Sequence, residues 1–237
     1  MGGPPPIGAQ KANLDELVNR IIEEVVIIMF IVYIIKAIKT TVGGFPRPLM
    51  NLSAYNFATI MNDAFGYPLD PPFDPYANSL NFMMASYVIP YVGLTGYVGA
   101  NPFMKGWKTK RLLAGLLGVE AGQDAVIRMY LYERAHYKVY PYDYTVAEFT
   151  ERISKLRNKL GMCGIKDEGI CVPLNLGAEN RTTSNVLAAD YNSLSYARTP
   201  REILRIVYGT GSEHVPGGFF PKGENGKIAR ELLCSYE

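Results

Sequence analysis

The 237-residue chain is predicted to be all-α, a helical bundle with a loop-rich extension at its C-terminal end. Three observations carry this expectation. Apolar residues recur at helical spacing in segment after segment, and Pro/Gly-rich joints separate those segments. Several segments also open on residues that cap helices, and no run of strand alternation stands beside them.

The elements follow in order. Asn13 or Asp15 is placed to cap a first helix, in which Leu14, Leu17, Val18, Ile21 and Ile22 share a face. Its pattern runs to about Lys39 and stops before Gly43-Gly44-Phe45-Pro46. Inside it, Val25 to Ile35 is an unbroken apolar run of eleven residues. A bilayer span takes about twenty, so a helix buried on all sides is expected there, with membrane association through residues 21–38 as the alternative. The Ile/Val content also admits a strand, but the length and the helical start oppose it.

A second helix follows Ser53, with Phe57, Ile60, Met61 and Ala64 on one face. Pro68, Pro71, Pro72 and Pro75 force an extended connection. From Ala77 to Val98 the spacing is again helical, with a kink expected at Pro90. Its Phe82, Met83, Met84, Tyr87, Tyr91 and Tyr97 are read as core rather than as a pocket lining. After the Asn101-Pro102 turn, a long helix is predicted from about Lys108 to Tyr137. Thr145 with Glu148 forms a capping box for another, ending near Leu160.

Beyond Gly161 only Pro200 to Tyr208, opened by Thr199, and Gly226 to Leu233 read as helical. The expected organisation is a bundle over residues 1–160 and an extension over 161–237, too poor in apolar residues for its own core.

Composition narrows the function classes. With 48% hydrophobic and 19% charged residues, the chain can bury a core without disulfides. A net charge of +2 without a basic run argues against nucleic acid as a partner. Cys163, Cys171 and Cys234 fit no zinc ribbon; Cys163 and Cys171 could pair in an oxidising compartment, which the sequence leaves open. The first residues read as no signal peptide, and Pro6 stands where a myristoylation motif wants Ser or Thr.

One helix carries the candidate chemistry. Leu113, Leu116, Glu120, Gln123, Ile127 and Tyr130 step 3-4-3-4-3, the seam of a helix packed in a bundle. A carboxylate and an amide at i and i+3 in that seam point the same way, as metal ligands in bundle cores do. The plainer alternative is a slightly rotated seam with Glu120 at a wet edge or bonded to a tyrosine. Glu133 and His136 share the i, i+3 spacing, but lie on the opposite face and read as a solvated pair. His214, beside Glu213, belongs to a surface loop. Asn51 and Asn180 open glycosylation sequons, which matter only if the chain is secreted.

Several stretches resemble the plant desiccation-related proteins, a family of the ferritin-like superfamily. They are Ala37 to Pro48, Pro71-Pro72-Phe73-Asp74-Pro75-Tyr76, Leu112 to Arg128, Gly177 to Thr182, Gly209-Thr210-Gly211 and Gly217-Gly218-Phe219. The resemblance implies a four-helix ferritin-like bundle, a context of drying or stress, and secretion to the cell wall or endomembrane system. This chain's compartment stays open without a signal peptide. By the family pattern the first bundle helix is missing, and the apolar run stands where a Glu-x-x-His would be, as an altered coding model or a divergent isoform would give.

Glu120 and Gln123 are then the remnants of a metal site, with Glu23 or Glu24 as weak additional donors. The expectation is a non-catalytic, stress-related ferritin-like protein with a degenerate site, no firm cofactor, and self-association to cover an exposed apolar face. A di-iron-type oxidase or iron binder, with iron or manganese, is the alternative in full-length relatives.

Overall fold

The computed structural model describes residues 3–25, 37–41, 43 and 46–223. The apolar run from Val25 to Ile35 apart from its first residue, the segment 226–233 and Cys234 lie outside the described residues. Within them the fold is all-α, a multi-helix bundle with isolated bridges and no strand.

Asp15 caps α1 (Glu16–Val25), its Oδ1 accepting the Val18 amide at 2.9 Å. Val18 is buried, and Ile21 and Ile22 pack on the core. Ser53 caps α2 (Ala54–Phe65), and Gly66, at φ 79°, ends it in the left-handed conformation. Phe57, Met61 and Phe65 face inward, with Ile60 and Ala64 at the edge of the same cluster.

The single kinked helix expected over 77–98 is instead two, α3 (Ser79–Ser86) and α4 (Pro90–Ala100). Pro90 has no amide hydrogen to continue the ladder, so it opens a new helix rather than bending an old one. The break strands the carbonyls of Tyr87 and Val88, and Arg157 Nη1 donates to both, at 2.7 and 3.1 Å. Tyr87, Tyr91, Met83 and Met84 are fully buried, while Tyr97 is half-buried.

The long helix is α5 (Trp107–Tyr132), which ends five residues before its periodicity suggests. Tight turns take over beyond it, with Arg134 N donating to Leu131 O and Tyr137 N to Arg134 O. Both parts of the capping box form at the start of α6 (Val146–Gly161), and again at α7 (Pro200–Tyr208), where Thr199 and Glu202 cap reciprocally.

The main core joins α1, α2, α3, α5 and α6 through Val18, Met61, Met83, Leu131, Phe149 and Ile153. A second cluster sets Val92 of α4 against Leu204, Ile206 and Val207 of α7. Residues 162–199 cross the bundle between α6 and α7, close enough at one point that a side chain on Gly99 would strike the backbone of Arg198.

Candidate functional site

Glu120, Asp124 and Arg128 stand one turn apart on α5, so they share a face that looks into the bundle. Asp124 is 3% exposed and Arg128 fully buried, while Glu120 and Gln123 are half-buried. The inward centre of α5 is therefore Asp124, Ile127, Arg128 and Leu131, about one residue round from the expected seam. Leu113 and Leu116 are only half-buried; Ile127 and Tyr130 are buried as expected.

Glu120 faces α4 at Gly93. A Cβ there would collide with Glu120 Oε2, so the missing side chain makes the space that the carboxyl occupies. Burial, and then the charge of Asp124, pushes the Glu120 carboxyl up to about 7. Burial likewise raises Asp124 to about 6, against the pull of the Arg128 and Arg157 cations. The Tyr97 phenol is pushed up to about 12 by burial, with the Glu120 charge adding to it. Glu120 Oε2, Asp124 Oδ1 and the Tyr91 hydroxyl are buried without a hydrogen-bond partner among the described residues.

Below this acidic pair lies a network of buried cations. Asp167 Oδ1 accepts from Arg157 Nη2 at 3.0 Å, its Oδ2 lies in ion-pair contact with Arg157 Nε at 2.5 Å, and Arg198 Nη2 lies 3.8 Å away. Arg128 donates to the carbonyls of Asn185, Glu168 and Gly169 and to the Tyr87 hydroxyl, tying the crossing segment to the bundle. Guanidinium groups also lie over the Tyr87 ring, Arg157 at 4.6 Å and Arg128 at 5.4 Å. The sequence reading missed Asp124, Arg128, Arg157, Asp167 and Arg198. For two of them a signal existed: a carboxylate four residues before an arginine, in a helix otherwise apolar around them.

The other expected residues are not brought to this site. Glu23 and Glu24 are exposed on α1 and do not join Glu120. Glu133 and His136 lie exposed just past the end of α5, Glu133 at 3.6 Å from Arg134. Glu213 is held by Arg205 at 2.7 and 3.1 Å, with the exposed His214 3.8 Å off. Asn51 is half-buried, its side-chain oxygen accepting from Ser53, while Asn180 is exposed in a 3-10 turn. Cys163 and Cys171 are free thiols, exposed and half-buried. Among the described residues no helix is long and apolar enough to cross a membrane, and residues 21–38 fall largely outside them.

Residues 8–133 match the ferritin-like domain family. The chain belongs to it. It is 66% identical over 233 residues to the ferritin-like catalase Nec2 of Nesocodon mauritianus, which covers 98% of this chain and 74% of that protein. It is 54% identical over 226 residues to the desiccation-related protein PCC13-62 of Craterostigma plantagineum, covering 95% of this chain and 72% of that protein. No solved structure matches the chain. The desiccation-related family alone is thus too narrow a placing, since a catalase stands among the relatives at higher identity.

A ferritin-like di-metal centre draws a carboxylate from each of two helices and a Glu-x-x-His pair from each of the other two. Here the α5 pair is Glu120 with Gln123, an amide where the pattern has imidazole. Both histidines of the chain, His136 and His214, are exposed, and neither forms a ligand set with Glu120 among the described residues. Among the described residues no group of three or more His, Cys, Asp or Glu side chains gathers as a ligand set. Among the described residues, two carboxyls, one amide and the nearby Arg128 guanidinium do not fit such a centre: the donors there are too few, and a fixed cation already faces Asp124.

Proposed function

We propose that this chain acts as a ferritin-like scaffold in desiccation or stress, without metal catalysis of its own. One observation carries the reading. Among the described residues no third acidic, histidine or cysteine side chain joins Glu120 and Asp124 as a ligand set, and the buried cations of Arg128 and Arg157 already stand near Asp124, so the donors a divalent ion needs are not gathered there. Residues 161–223 are read as an extension clamped to the bundle by Arg128 on Asn185, Arg157 on Asp167 and Arg198 on Thr95, with the bundle proper ending near residue 160.

A second reading is peroxide decomposition at a metal site. It is favoured by the similarity to Nec2 and by the unpartnered Glu120 Oε2 and Asp124 Oδ1. Hydrogen peroxide consumption by the purified chain, supplied with manganese or iron, separates the two. The scaffold reading expects rates equal to those of the free metal, unchanged by Glu120→Ala. Turnover above that background, abolished by the substitution, would favour catalysis.

A further inference from the structure

Between Arg111 and Glu133 the outward face of α5 carries no charge. Its exposed positions include Gly115, Gly118, Gly122, Val126 and Met129, while Glu120, Asp124 and Arg128 turn toward the bundle. Taken with Arg111 and Glu133, these positions lie within about 40° of the direction of Gly122. Val126 is 38% and Met129 46% exposed, and no described atom stands where a Cβ would sit on Gly115, Gly118 or Gly122. A helix facing water ordinarily keeps its charged residues on that side. An uncharged strip about 21 Å long, from Gly115 to Met129, marks an interaction surface instead.

The order of residues along the strip names the occupant. Exposed Ala114 lies about 80° round from Gly122 and so outside the strip; within it, from Arg111 to Glu133, the steps are 4-3-4-4-3-4, identical from either end and centred on Gly122. A second copy laid antiparallel, with its two-fold axis at Gly122, sets Gly115 against Met129 and Gly118 against Val126. Each bulky side chain then meets a glycine, and Arg111 of one copy meets Glu133 of the other. A parallel copy would instead set Arg111 beside Arg111 and glycine beside glycine. Glu133 lies 3.6 Å from Arg134 in its own chain, but its side chain is 59% exposed and open to a second cation.

We propose that the protein forms a symmetric dimer through α5, two copies meeting antiparallel across Gly122. This proposal is independent of the metal question. A single helix pair is at the small end of stable interfaces, so the dimer dissociates on dilution at about micromolar concentration.

Sedimentation of the full chain over a concentration series tests it. The parent is expected to pass from monomer to dimer. Gly122→Lys, which brings two cations together at the axis, is expected to weaken the dimer about a hundredfold with an unchanged far-UV spectrum. Arg111→Glu and Glu133→Arg should each weaken it about tenfold, and the double reversal should restore it. A parent that stays monomeric, a dimer indifferent to Gly122→Lys, or a double reversal no stronger than the singles would overturn the proposal. Should Gly122→Lys fail to fold, the three charge reversals decide.

Discussion

Replacing Asp167 with alanine is expected to destabilise the protein by about 3–5 kcal/mol, the cost of stranding a buried partner charge. The Asp167 side chain is fully buried and takes two contacts from Arg157 and one, at 3.8 Å, from Arg198. Without it, two guanidinium groups that are 2% and 1% exposed would keep their charge with only Asp124 near Arg157 and Glu202 near Arg198. The effect would spread, because Arg157 also holds the carbonyls freed at the α3–α4 break. For a chain of this size the melting temperature should fall by on the order of 10 °C. Thermal and urea denaturation followed by circular dichroism would measure this. A loss below about 1 kcal/mol would mean that the arginines are hydrated or paired elsewhere.

Glu120→Gln is expected to stabilise the protein at pH 8 by about 1–2 kcal/mol and to leave it unchanged at pH 4. The folded state holds the Glu120 proton up to about 7, whereas the unfolded chain releases it near 4.5. Between those values the unfolded chain binds fewer protons, so stability falls as pH rises, and the penalty is complete above 7. The displacement bounds that penalty at about 3 kcal/mol, and partial exposure reduces it. Asp124, raised from 3.8 to about 6, adds a loss of the same sign over a lower window. The parent should therefore be less stable at pH 8 than at pH 5 as far as these two groups act, and the variant should flatten that slope. Urea midpoints at the two pH values would test this. A variant less stable than the parent at pH 8 would show that the Glu120 carboxylate is stabilised as an anion.

Much of the fold was legible in the sequence because its signals are local. Ser53, Thr145 with Glu148, and Thr199 with Pro200 and Glu202 each cap the helix that they announce. Pro90 was legible as a disruption but not as a boundary, since whether a helix bends or ends there depends on who receives the freed carbonyls. Here that is Arg157, about seventy residues away along the chain. The same distance in sequence hid most of the interior charges. Glu120 was visible because it interrupts an apolar seam within one helix. Asp167 and Arg198 sit in loop-rich sequence, where a buried charge looks like any surface one until tertiary packing brings α6 and the crossing segment together. The family match was legible from motifs, but the motifs could not divide a desiccation-related relative from a catalase.

Elemental analysis of the purified, metal-reconstituted protein, with Glu120→Ala alongside, is the decisive measurement. If the interior carboxyls hold protons and the bundle serves as a scaffold, iron and manganese will stay far below one ion per chain and will not differ between parent and variant. One or two ions per chain in the parent, lost on removal of the Glu120 carboxyl, would show that the bundle still holds a working metal centre.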